Sequence, residues 1–124
     1  MKIATYNVNS IRSRLHIVLP WLENHQPDIF CMQETKVEDA KFPLAEFEAA
    51  GYTVTFRGSK QYNGVAVASR IQPQKTSFGL ADDPSDPDRL AVAHFGDLVV
   101  LNAYVPQGQE VDKPQFAYKL AWLG

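Results

Sequence analysis

Hydrophobic and polar positions change rhythm several times along the chain. Residues 1–8, MKIATYNV, alternate loosely through Ile3, Thr5, Tyr6 and Val8, which predicts a strand. Asn9-Ser10 then offers a helix cap. Ile11, Leu15, Val18, Leu19 and Leu22 recur at helical spacing, so an amphipathic helix is predicted to about Asn24. Pro20 lies inside it, lacks a donor and crowds the carbonyl of His16, which predicts a kink or an early stop. Gln26-Pro27-Asp28 ends the element. The apolar run Ile29 to Met32 reads as a strand buried on both faces, 28–33, that runs directly into Gln33-Glu34-Thr35-Lys36. A strand–helix–strand unit implies parallel strands joined by a right-handed crossover.

Further along, Phe42 to Ala50 predicts a short helix, with Pro43 near its start and Gly51 just past its end. Strands follow at Tyr52–Arg57, Gly64–Ser69 and Lys75–Phe78, the first two separated by a turn at 58–63. ADDPSDPDR, 81–89, is a polar loop. Leu90–Phe95 and Leu98–Tyr104 form a predicted hairpin around Gly96-Asp97. VPQGQEVDKP is a loop, and Phe116–Leu123 begins a helix. This order gives an α/β domain with a mixed sheet.

Composition narrows the class. The chain of 124 residues is long enough for one domain with a core, and no window reaches the length of a membrane span. The apolar stretch at the N-terminus is too short for a signal peptide. The single cysteine, Cys31, excludes an intrachain disulfide and fits a reducing cytoplasm, where it reads as a core residue. A net charge of −2 excludes a generally basic nucleic-acid binder, but the charge is uneven. Residues 49–81 contain no acid yet carry Arg57, Lys60, Arg70 and Lys75, and residues 1–22 are acid-free with Lys2, Arg12 and Arg14. One basic face is compatible with the negative total, as is ordinary solvated charge.

Candidate chemistry gathers at strand ends. Asn7 and Asn9 follow the first strand, Glu34 the second, and Tyr104 the last. Carboxyl ends of parallel strands share one edge, where ligands bind. A carboxylate and an amide there suit a hard divalent cation such as Mg²⁺, and Tyr104 offers a phenol to a phosphate as donor or as anion. Arg12, Lys36 and Arg89 are basic groups that could hold phosphates. The residue types alone equally fit a solvated strand-end glutamate, a turn asparagine and a half-buried sheet tyrosine. His16, His25 and His94 show no zinc spacing, and no glycine-rich phosphate loop or serine nucleophile elbow is present.

MKIATYNVNSIRSRL, QPDIFCMQETKV, GYTVTFRGSKQYNGVAVASR and NAYVPQG resemble, in order and spacing, the first half of exonuclease III-type apurinic/apyrimidinic endonucleases of the endonuclease/exonuclease/phosphatase superfamily. The resemblance implies the N-terminal half of a four-layer α/β sandwich over residues 1–124, one mixed sheet with helices on its outer face. It implies Mg²⁺-dependent hydrolysis of DNA phosphodiesters, with Mn²⁺ as an alternative metal, 5′ to an abasic site or 3′→5′ from a duplex end. Glu34 is then similar to the metal-binding glutamate, Asn7 to the asparagine supporting metal and catalytic aspartate, and Tyr104 to the tyrosine facing the scissile phosphate. Asn9 falls near the metal. Arg12, Lys36, Arg89, Tyr62 and Asn63 resemble DNA-contacting or site-supporting positions.

The implied second-half motifs, Gly-Asp-x-Asn and Ser-Asp-His, do not occur in this sequence. The chain is therefore expected to be a fragment with very low activity, one sheet whose inner apolar face, including GVAVAS and LVVLNAY, is uncovered and prone to self-association. The alternatives are a non-catalytic self-associating or DNA-binding half-domain, and a phosphodiesterase of the same superfamily with another substrate.

Overall fold

A computed structural model describes residues 1–59, 63–79, 87 and 89–105. Its elements are β1 (Ile3–Asn7), α1 (Ile11–His25), β2 (Ile29–Gln33), a 3₁₀ turn (Asp39–Lys41), α2 (Leu44–Ala49), β3 (Thr53–Arg57), β4 (Val65–Ser69), β5 (Lys75–Phe78), β6 (Leu90–Phe95) and β7 (Leu98–Ala103). Tyr62, most of the 81–89 loop, the loop beyond Val105 and the helix predicted at 116–123 lie outside the described residues.

The first sheet has the order β1-β2-β4-β3. β1 and β2 are parallel, with Asn7 opposite Gln33, as a strand–helix–strand unit requires. β4 runs antiparallel to both β2 and β3. α1 starts where the Ser10 hydroxyl accepts the Ser13 N–H at 3.3 Å, and ends where Gln26 turns left-handed and its N–H bonds the Leu22 carbonyl. The helix does not stop at Pro20. His16 and Pro20 are both exposed, so the carbonyl that loses its partner lies on the wet side, while Val18 and Leu22 hold the helix to the core. α2 is shorter than its predicted span and is closed by Gly51 at φ 93°.

The expectation of one sheet with an uncovered inner face is corrected. β5, β6 and β7 form a separate antiparallel sheet, and it lies face to face with the first. Ile29, Cys31, Val65 and Val67 from one sheet meet Ala91, Ala93 and Val100 from the other. β4 is buried at every position. The small side chains of Ala91 and Ala93 let the sheets approach, and burying Val65 and Val67 contributes about 1.5–3 kcal/mol each. GVAVAS is covered in this way, while Val99 and Leu101 of LVVLNAY stay exposed on the other side of β7.

The opposite face of the first sheet carries α1 and α2. There Val8, Ile11, Val18, Leu22, Phe30, Met32 and Phe47 build a second core. Phe42 stacks on Phe56 with centroids 4.3 Å apart. The alternation in β2 explains both cores. Phe30 and Met32 face the helices, while Ile29 and Cys31 face the second sheet. No helix among the described residues is long and apolar enough to cross a membrane.

Candidate active site at the strand ends

Parallel pairing continues beyond β1 and β2. The Val8 N–H bonds the Gln33 carbonyl at 3.0 Å, Ser10 N–H bonds Glu34 at 2.8 Å, and Ile11 N–H bonds Thr35 at 3.0 Å. The loop after β1 is thus laced to the loop after β2. From the other side, Thr35 N–H bonds the Gly64 carbonyl and Lys36 N–H bonds that of Asn63. Three loops meet in this way. They hold five non-glycine residues at positive φ: Asn9 (46°), Ser10 (86°), Glu34 (56°), Lys36 (53°) and Asn63 (53°). Such backbone is strained and persists only where surrounding bonds over-determine it. Here the interlaced backbone bonds do so, and they fix the direction in which Glu34 projects.

Glu34 is half-buried. Its Oε1 accepts a hydrogen bond from the Tyr104 hydroxyl at 3.0 Å, across from the end of β7. Lys36 Nζ lies 3.9 Å from the same oxygen and donates to Asn9 Oδ1 at 2.6 Å. Asn7 Oδ1 accepts the Asn9 N–H at 3.1 Å, which orients its amide at the mouth of the site. Glu34, Asn7, Asn9 and Lys36 therefore share one edge, and Tyr104 reaches it from the second sheet. The topology brings together residues separated by 70 positions in the case of Tyr104 and Glu34.

Tyr104 is held on three sides. Its N–H bonds the Arg89 carbonyl at 2.7 Å, the Arg89 guanidinium donates to its carbonyl at 3.2 Å, and the same guanidinium lies 4.6 Å from its ring centroid. Burial raises the Tyr104 pKa, as do the hydrogen bond to Glu34 and that carboxylate's charge; Arg89 opposes them. The phenol is accordingly neutral at physiological pH, a donor rather than an anion. Arg89 is buried against Tyr104. Arg12 is exposed on the first turn of α1, beside a shallow cavity it lines with Leu15, Lys41 and Phe42. Asn63 is half-buried and tied to Lys36 through its carbonyl.

The donor set suits a hard cation. Carboxylate and amide oxygens converge with no sulfur or imidazole among them, and a positive group, Lys36, already lies against Glu34 and Asn9. Among the described residues, no group of three His, Cys, Asp or Glu side chains gathers anywhere. Glu34 is the carboxylate of this cluster, and the Asn7 and Asn9 amides lie beside it on the same edge.

Sequence reasoning passed over Asn102 and Thr35, and it noted Gln33 only as a strand end and Gly64 only as part of a loop. Gln33 Nε2 donates to Thr5 Oγ1 at 2.8 Å and to Asn102 Oδ1 at 2.6 Å, while Thr35 is 1% exposed beneath Gly64. The available signal for Asn102 was a lone amide inside the apolar strand LVVLNA.

A sequence profile described as "Endonuclease/Exonuclease/phosphatase family" matches residues 4–122. Exodeoxyribonuclease III of Haemophilus influenzae is 35% identical over 114 residues, covering 88% of this chain and 43% of that protein. Among solved structures, an AP endonuclease from Archaeoglobus fulgidus superposes with a TM-score of 0.94 at 58% identity, over 99% of this chain and 48% of the other. A 3′–5′ exonuclease from Neisseria meningitidis gives 0.93 at 42% identity, over 98% and 48%. The chain spans less than half the length of each. With nearly all its length matched and the strand-end cluster in place, the chain belongs to the endonuclease/exonuclease/phosphatase family.

Proposed function

We propose that this chain contributes the first half of the active site of a Mg²⁺-dependent DNA-repair nuclease, an exonuclease III-type enzyme acting on abasic sites or 3′ ends in duplex DNA. The observation that carries the reading is the Tyr104–Glu34 contact at a shared strand-end edge, with Asn7 and Asn9 beside it. Relatives named as exodeoxyribonuclease III and AP endonuclease support the substrate class. Glu34 would hold the metal with Asn7, and Asn9 adjoins them; when bound, Mg²⁺ neutralises phosphate charge and polarises the phosphoryl oxygen. Tyr104 keeps its proton and offers a hydrogen bond suited to a phosphate oxygen. Arg89 acts through Tyr104 by fixing its ring and backbone. Lys36 brings positive charge to the same edge, Arg12 and Asn63 are further DNA contacts, and Tyr62 is one by resemblance alone.

In-line hydrolysis also requires a group that orients the attacking water. Among the described residues no group of three His, Cys, Asp or Glu side chains gathers at this edge, and the isolated chain is expected to incise DNA very poorly. That gap favours a second reading, a half-domain that binds DNA without cleaving it. A chimera decides between them. This chain would replace the matching half of the Archaeoglobus fulgidus enzyme, and Mg²⁺-dependent incision of a labelled duplex carrying one abasic site would be measured. Incision that is lost with EDTA and in Glu34→Gln is the expected result. A folded chimera that binds the duplex but never incises it would refute the catalytic reading.

A further inference from the structure

Asn102 is 3% exposed, one of the few polar side chains inside this fold. It sits in β7 between the exposed Leu101 and Ala103, facing the seam between the sheets. Its Nδ2 donates to the carbonyls of Met32, at 2.9 Å, and Ala66, at 2.8 Å, which are register partners in β2 and β4. Its Oδ1 accepts from Gln33 Nε2 at 2.6 Å, and that nitrogen also donates to Thr5 Oγ1 in β1 at 2.8 Å. The Asn102 amide thus ties β7 directly to β2 and β4, and Gln33 carries the network on to β1.

An apolar residue would fill such a seam without the desolvation cost of an amide. The amide gives directional bonds that fix depth and register, which apolar contact leaves loose. Two residues beyond Asn102 is Tyr104, and two beyond Met32 is Glu34. At about 3.3 Å per residue, the Tyr104 backbone lies roughly 7 Å along the chain from Asn102. We propose that Asn102, together with Gln33, is a positioning residue of the active site, locking β7 against β2 so that the Tyr104 hydroxyl meets Glu34. This rests on the reading of Glu34 and Tyr104 as site residues.

The test is NMR of the chain carrying tyrosine labelled with ¹³C at Cζ. Tyr104→Phe assigns the resonance, and Glu34→Gln defines its shift when the carboxylate partner is lost. Asn102→Thr and, separately, Gln33→Leu are expected to move the resonance toward its Glu34→Gln position. Phe47→Leu, which perturbs the core on the helix side of the first sheet, is expected to leave it in place. The proposal is overturned if both clamp variants leave the resonance unmoved, if Phe47→Leu moves it as far, or if Glu34→Gln does not move it. Should Asn102→Thr fail to fold, Gln33→Leu alone decides by the same criterion. No DNA or metal enters the measurement. An intact clamp in a chimera that cannot cleave would therefore overturn only the functional reading.

Discussion

Gly64→Ala tests whether the interlaced loops require a residue without a Cβ where Gly64 lies against Thr35. Gly64 has φ 101°, and an added Cβ would collide with Thr35 Oγ1, with Lys36 N and Thr35 Cβ both at 3.2 Å. Thr35 is 1% exposed and cannot swing into solvent. The strained backbone costs about 1–3 kcal/mol, and forcing an extra methyl into a packed site about 1–3 kcal/mol more. Gly51 supplies the control, because it has φ 93° and a Cβ there meets nothing within 4 Å. The backbone cost is common to both, so the difference isolates the collision. Urea unfolding followed by circular dichroism should place Gly64→Ala below Gly51→Ala by about 1–3 kcal/mol. With a slope of about 1–3 kcal/mol per molar urea, that is a midpoint difference on the order of 1 M. In a Thr35→Ala background the nearest obstacle is gone, and the difference should shrink. Equal midpoints for Gly64→Ala and Gly51→Ala would refute the claim that Gly64 is there to admit Thr35.

Tyr104→Phe should cost about 1 kcal/mol through the lost bond to Glu34. Because the Tyr104 pKa is raised on folding, its contribution is fully present below the unfolded tyrosine pKa of about 10 and is lost as pH rises through the folded value. The stability gap between wild type and Tyr104→Phe should accordingly narrow above about pH 10 in urea titrations; a gap independent of pH would remove Glu34 as the partner. Cys31 is buried and its thiol is pushed up to about 11, so a thiol reagent at neutral pH should label it only on unfolding. Rapid labelling of the native chain would contradict that burial. In the chimera, Glu34→Gln should lower Mg²⁺-dependent incision by about 10²-fold or more, a loss typical of removing a group that stabilises transition-state charge, and Mn²⁺ should substitute for Mg²⁺ in the parent chimera.

Local pattern carried much of the fold. The capped helix after Asn9, the doubly buried run at 29–32, the hairpin at Gly96-Asp97 and the parallel β1–β2 pairing all follow from periodicity and turn chemistry. Pro20 misled because its effect depends on which side of the helix meets water, and that side is set by packing. The site was legible only in its members. Glu34 ends an apolar strand and Asn7 ends its parallel neighbour, so their shared edge could be reasoned from topology. Tyr104 was a candidate as the end of the last strand, but nothing local to NAYVPQG says that it reaches Glu34 from a second sheet.

The sequence by itself determined which residues form strands and helices and which faces of each strand are apolar, because these depend on spacing along the chain. It did not determine that β5, β6 and β7 form a second sheet rather than extend the first. Alternation fixes the two faces of a strand but not its neighbours, so it leaves open which strands pair side by side and which stack face to face. Only the tertiary structure decided that β7 crosses the seam to β2, where Asn102 bonds two carbonyls and Tyr104 reaches Glu34. Those contacts span 36 to 70 positions, and their geometry exists only once both sheets are packed.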